Sequence, residues 1–219
     1  MLKIFSLRNY RLFKDVYKNN SFKGTVSVSG PGSDLNQTKI IRGEIPKILN
    51  EIKAKSLLDI PCGDFLWMNL IYFKNIQYIG GDIVKDLIKR NINLYGNANR
   101  KFISIDLVND ALPNSDILLC RDCLVHLSFK DIFKVINNLK NSKITYFLTT
   151  SFTDRKNNID IKTGLWRSLN FQWRPLNLLL PPFNFPKPIK IINEQCTENG
   201  GKYSDKCLIL WRVDDLPVY

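Results

Sequence analysis

Three carboxylates recur at equivalent places along the first half of the chain. Asp59 lies near the end of the apolar run Ser56–Ile60 and is followed by Pro61-Cys62-Gly63-Asp64. Asp82 follows the run Gln77–Gly81, and Asp106 follows Lys101–Ile105. A glycine-bearing turn after a first buried strand lets a ligand approach the backbone closely, and a helix starting at Asp64 would offer free amides behind it. An acid at the end of a second strand, about twenty residues on, suits the two hydroxyls of a ribose. An acid at the end of a third can take the exocyclic amine of adenine. Neither G-x-G-x-x-G nor G-x-x-x-x-G-K-[ST] occurs, so nothing is shaped for a pyrophosphate. The pattern predicts a nucleoside-bearing cofactor without phosphates.

A fourth run, Asp116–Cys120, leads into Arg121, Asp122 and, four residues later, His126, the only histidine. If this stretch is helical, Asp122 and His126 share a face, and either can take a proton from a hydroxyl. The structural alternatives are an Asp122 held by Arg121 or loop amides and a His126 packed at the start of the next helix. Arg121, Arg167 and Arg174 are of the type that grips a carboxylate or phosphate. Trp166, Trp173, Phe183 and Phe185, with Asn184 among them, belong to a loop that would either cover a site or keep itself ordered by packing. Within it Trp166-Arg167-Ser168-Leu169-Asn170-Phe171-Gln172 is followed at once by the similar Trp173-Arg174-Pro175-Leu176-Asn177-Leu178-Leu179, a seven-residue tandem duplication.

The elements that must hold these residues follow from periodicity. Short apolar runs alternate with helical patterns from Ser56 to Thr150, the signature of βαβ units and a parallel sheet. Strands are expected at Ser56–Ile60, Gln77–Gly81, Lys101–Ile105, Asp116–Cys120 and Ile144–Thr149, then at Ile189–Gln195 and Lys206–Val213, the last two antiparallel to each other. Helices are expected at Asp64–Phe73, Val84–Tyr95 and Ser128–Lys140, the last opened by a Ser128-x-x-Asp131 cap. Thr38–Lys53 carries a helical apolar stripe that Pro46 should kink or divide. Half of the ten prolines fall between Pro175 and Pro188, so that stretch should be irregular.

At 219 residues the chain is long enough for one well-cored domain, with a basic leader at residues 1–28 and a single domain at 29–219. The leader carries six cations against one acid, and Arg11, Lys14 and Lys18 share a helical face, which suits phosphates or lipid head groups at a membrane periphery. The net charge of +12 favours acidic partners, nucleic acid included. No apolar run is long enough to span a membrane, and no secretory signal is visible; a cytoplasmic protein is expected. Five cysteines form no disulfide framework, and Cys120-x-x-Cys123 lacks a second ligand pair, so reduced thiols and no metal site are expected.

On these residues the chain resembles the class I S-adenosylmethionine-dependent methyltransferases. Asp59-Ile60-Pro61-Cys62-Gly63-Asp64 resembles their first motif in a D-x-P-C-G form, although the motif's first glycine is missing. Asp82-Ile83 and Asp106-Leu107 match the ribose and adenine positions, and Asp116 to Asp122 the fourth-strand motif beside the reactive methyl. Ser29-Gly30-Pro31-Gly32-Ser33, Cys120 to Ser128, and Leu178 to Pro186 resemble one bacterial-type subgroup, so the likeness runs from Ser29 to Trp211. It implies a Rossmann-like α/β fold: a seven-stranded, mostly parallel sheet with a reversed last strand and helices on both faces. It implies S-adenosyl-L-methionine held by Asp59, Pro61, Cys62, Gly63, Asp64, Asp82, Ile83, Asp106, Leu107 and Arg121, with the Gly30–Ser33 turn covering it. Asp122 and His126 become the catalytic candidates, and Trp166, Arg167, Phe183 and Asn184 the acceptor contacts. The expected reaction is O-methylation of a small-molecule or glycan acceptor. The alternatives are an RNA or nucleotide methyltransferase, suggested by the charge, and a binding protein on the same fold that has lost catalysis.

Overall fold

The computed structural model describes the backbone of residues 2–24, 26–161 and 172–219, with side chains from residue 9 onward in these ranges. Seven strands form one sheet: β1 Ser56–Asp59, β2 Gln77–Asp82, β3 Arg100–Ser104, β4 Ile117–Cys120, β5 Tyr146–Phe152, β6 Lys190–Asn193 and β7 Lys206–Arg212. Their order across the sheet is β3-β2-β1-β4-β5-β7-β6. The first five are parallel, and β7 runs antiparallel to both β5 and β6. Each expected strand is present to within a few residues; the central strands, buried on both faces, read as uninterrupted apolar runs, whereas the edge strands β3 and β6 are partly exposed.

Alternate residues of these strands serve two cores. Leu57, Ile117, Leu119, Leu148, Leu208 and Leu210 pack on one side with helix α2 (Lys39–Glu51) and with Ile88 of α3 (Lys85–Tyr95). Leu58, Leu118, Phe147, Ile209 and Trp211 pack on the other with α4 (Phe129–Lys140) and the proline-rich stretch around Leu176–Phe185. The stripe Ile41, Ile45, Ile48 and Leu49 is fully used by α2, which runs on through Pro46 without being divided. A further helix, α1 (Leu2–Lys18), precedes the sheet. Among the described residues no helix is long and apolar enough to cross a membrane. All five cysteines are free thiols.

The expected helix Asp64–Phe73 is absent, replaced by turns and a single 3-10 turn at Met68–Leu70. Phe65, Trp67, Met68 and Ile71 are buried, whereas Leu70 and Tyr72 are exposed. Phe65 adopts φ 60°, a left-handed conformation that interrupts any helix there. Its ring is fixed among Tyr78, Tyr95 and Phe102 at centroid distances of 5.0, 5.2 and 5.1 Å. Aromatic burial overrides local propensity at this point.

The cap of α4 is as expected. Ser128 Oγ accepts from the Asp131 amide at 3.2 Å and donates to its carboxylate at 3.0 Å. Replacing Ser128 by alanine should cost about 1 kcal/mol. Thermal unfolding would record this as a fall in Tm of about 2–4 °C.

Candidate active site

The carboxyl ends of β1 to β4 open into one cavity of about 420 Å³. Strand order places the acids along this edge in the sequence Asp106, Asp82, Asp59, Asp122, and all four line it. The strand order reverses between β1 and β4, where ligands of open α/β sheets are held. Asp82 Oδ1 accepts from the Val84 amide at 2.9 Å and Oδ2 from the Gly63 amide at 3.3 Å. Burial raises its pKa to about 6, although those amide bonds favour the ionised form. Burial likewise raises Asp59 to about 7, against the hydrogen bond that Tyr78 donates to its Oδ2 at 2.6 Å. Asp106 is held by the Val108 amide and by Asn109 Nδ2. Ile83, Ile105 and Leu107 give this end of the cavity an apolar wall.

Pro61, Cys62 and Gly63 line the cavity as expected, whereas Asp64 does not. The Asp64 carboxylate instead takes the Ser27 hydroxyl at 2.8 Å and the Val28 amide at 3.0 Å, and its own amide donates to Ser29 Oγ. The free amides expected behind the first turn are therefore spent. The Phe65 amide goes to Cys62 O, and the Leu66 amide to Asp64 Oδ1. Gly63, at φ 54°, is the contact point of this arrangement: a Cβ there would lie 2.2 Å from Ser29 Oγ. Asp64 thus seats residues 27–29 against the first turn, and the following Gly30–Ser33 turn lines the cavity.

Beyond β4, a compact charge cluster forms the far wall. Arg121 donates through Nε and Nη2 to Glu194, the Nη2–Oε2 distance being 2.6 Å, and Nη2 also reaches the Gly32 carbonyl at 2.8 Å. Lys206 Nζ lies 2.6 Å from Asp122 Oδ2 and 3.6 Å from Glu194 Oε2. Arg121 Nη1 lies 3.3 Å from Asp122 Oδ2. Burial works against the Asp122 anion, but Lys206 and then Arg121 outweigh it and hold the carboxyl at about 2. Such a carboxylate is a weak base. Asp122 takes φ 53°, and His126 ends a 3-10 turn at Leu124–His126, so the two do not share an α-helical face. Both nevertheless line the cavity. His126 Nδ1 is 2.9 Å from the Gln172 carbonyl, which only accepts; neutral His126 is therefore protonated at Nδ1 and carries its lone pair on Nε2. Phe13 and Phe22 pack on its ring, at 6.3 and 5.6 Å.

Two of the expected acceptor contacts lie elsewhere. Phe183 is fully buried in the core against Phe129 and Phe133, Asn184 is exposed, and neither lines the cavity. Trp166 and Arg167 lie outside the described residues. The cavity is instead walled by Phe152, Trp173 and Tyr203, with Glu198 and Asn199 beside them. Trp173 meets Tyr203 edge to face at 4.8 Å. Lys206 and Glu194 went unnoticed in the sequence, where the available signal was a lone charge at the boundary of each apolar strand. Arg121, expected on the cofactor, is engaged by Glu194, Asp122 and the Gly32 turn.

Removing the ammonium leaves the buried Glu194 and the partly exposed Asp122 without one of their two cations. Lys206→Met should therefore lose about 3 kcal/mol of stability at neutral pH. In the wild type, the Asp122 contribution is full above about pH 4 and is lost as pH falls toward 2, because its folded pKa is depressed. In the variant the folded pKa of Asp122 lies closer to its ordinary value, so the loss below about pH 4 should be smaller and end at higher pH, which thermal melts across an acid series would record.

No protein-family model matches the chain, and no curated protein matches it in sequence. Solved structures do match in fold. PigF with S-adenosylhomocysteine aligns at TM-score 0.54 and 11% identity, over 80% of this chain and 55% of PigF. The S-adenosylmethionine-dependent methyltransferase SibL aligns at 0.52 and 12%, over 79% of this chain and 54% of SibL. Human N-acetylserotonin methyltransferase in complex with S-adenosylmethionine aligns at 0.51 and 12%, over 93% of this chain and 67% of its own. The chain thus spans about half the length of PigF and of SibL. At this identity the likeness is one of backbone, and it shows that the chain has the Rossmann-like fold of S-adenosylmethionine-dependent methyltransferases.

Proposed function

We propose that this chain is an S-adenosylmethionine-dependent methyltransferase acting at oxygen on a small-molecule or glycan acceptor. The observation that carries the reading is the charge of the cavity. Among the described residues Asp59, Asp82, Asp106, Asp122 and Glu198 line it against two cations, Arg121 and Lys206, and both cations are already ion-paired. A protein of net charge +12 therefore encloses an acidic chamber. Phosphate-bearing cofactors fit it poorly, whereas a cationic sulfonium with ribose hydroxyls and an amine fits well.

Asp82 is suited to the ribose hydroxyls, since each buried oxygen keeps acceptor capacity beyond its amide partner. Ile83, Ile105 and Leu107 suit the faces of the adenine ring, and Asp106 its amine. Pro61, Cys62 and Gly63 form the floor near Asp59. Arg121 and Asp64 act as positioning residues, holding the Gly30–Ser33 turn and the stretch before it over the opening and so excluding water. When bound, S-adenosylmethionine supplies an electrophilic methyl group. The chain's own contribution is alignment and removal of the acceptor's proton. Of the two candidates for the base we favour His126, because the ion pairs of Asp122 make it too acidic for that role. Asp122 and Lys206 instead offer the acceptor a fixed polar contact. Phe152, Trp173 and Tyr203 with Glu198 and Asn199 provide the mixed apolar and polar wall that a ring bearing hydroxyls requires.

Calorimetric titration with S-adenosylmethionine and S-adenosylhomocysteine tests the reading. Micromolar binding is expected, weakened at least tenfold (~1.4 kcal/mol) in Asp82→Ala. No binding to the wild type would overturn the proposal. The pH dependence gives a second check. Hydroxyl donors require ionised Asp82, so S-adenosylhomocysteine affinity should fall as pH drops below about 6, by at most about tenfold per pH unit. Asp82→Asn should flatten that limb.

A further inference from the structure

Helix α1 presents two different faces. Asn9, Phe13 and Tyr17, four residues apart, line the cavity, and Val16 is buried. Arg11 and Lys18 are exposed, and Lys14 is half-buried. The Lys14 ammonium sits 5.4 Å from the centre of the Tyr10 ring. Lys85, the first residue of α3, places its own ammonium 5.9 Å from the same ring. The cationic surface therefore continues from one helix to the next. Among the described residues none of Arg11, Lys14, Lys18 and Lys85 forms an ion pair, although Asp15 and Asp86 are sequence neighbours.

Among the described side chains of the helix the apolar Phe13, Val16 and Tyr17 are turned to the protein, so the face it offers outward is the cationic one, which the head groups of an anionic surface attract. Each cation near an anionic bilayer adds attraction that salt screens. Single-stranded nucleic acid would ask for aromatic faces open to stacking. The aromatic ring of this patch, Tyr10, already has two ammonium groups over it.

We propose that α1, extended by Lys85, docks the protein on an anionic membrane surface, so that the helix lining the cavity is also the membrane contact. The proposal does not depend on the methyltransferase reading. Co-sedimentation of the full chain with vesicles of phosphatidylcholine alone, or with about one third phosphatidylglycerol, tests it. Binding is expected to the anionic vesicles only and should be released by about 0.5 M salt. It should weaken at least tenfold in the triple variant Arg11→Glu, Lys14→Glu, Lys18→Glu, whose far-UV circular dichroism should match the wild type. The idea is overturned if the wild type stays in the supernatant, binds neutral vesicles equally, or keeps its binding in the triple variant. It is also overturned if poly(U) displaces the protein from vesicles at comparable charge concentration, which would make RNA the partner. Release of the wild type by salt is read on unaltered protein, so a misfolded variant does not leave the question open.

Discussion

The buried pairing of Arg121 with Glu194 is the interaction on which the site depends. Arg121 follows β4 and Glu194 follows β6, separated by β5 and β7 in the sheet, and the guanidinium also carries the Gly32 carbonyl. One side chain thus ties together the switch point of the sheet, its antiparallel edge and the turn over the cavity. Lys206 and Asp122 complete a group of two cations and two anions. Arg121, Glu194 and Lys206 are buried and Asp122 is partly exposed; buried charges are tolerable only when each has a partner of opposite sign. The cluster constrains the wall as a unit, because removing any one member leaves two like charges sharing a single counter-charge.

The central strands were legible in the sequence because burial on both faces gives uninterrupted apolar runs, and the mutually antiparallel final pair was legible from the short connection between its two runs. The acids Asp59, Asp82 and Asp106 were legible for the same reason: they interrupt apolar runs at their ends. Asp64–Phe73 was not legible as turns. Its residue types are ordinary for a helix, and only the cluster of Phe65 with Tyr78, Tyr95 and Phe102, far apart in sequence, decides otherwise. The true work of Asp64, gripping Ser27 and Val28, was hidden in the same way. Phe183 shows the converse error, an aromatic beside prolines that serves the core rather than the cavity.

Charge is distributed against the protein's overall sign. The surplus of Lys and Arg lies outside, while the cavity gathers carboxylates. Asp59 and Asp82 sit there at pKa values of about 7 and about 6 because burial, not a neighbouring cation, dominates each environment. Asp122, equally close to the cavity, is pulled to about 2 by Lys206 and Arg121. The same residue type therefore has opposite proton affinities at two ends of one chamber, an asymmetry set by where the two cations stand.

The reversed direction of β7 divides the cavity wall between two parts of the chain. A parallel strand delivers its last residue to the carboxyl edge, whereas β7 delivers its first, Lys206. The connection from Glu194 to Asp205 therefore returns to that edge and supplies Glu198, Asn199 and Tyr203 to the cavity wall. It is continuous in sequence and separate from the segments bearing Asp59, Asp82 and Asp106. The residues between Glu194 and Asp205 thus shape one half of the chamber, while the strand ends that bear Asp59, Asp82 and Asp106 shape the other.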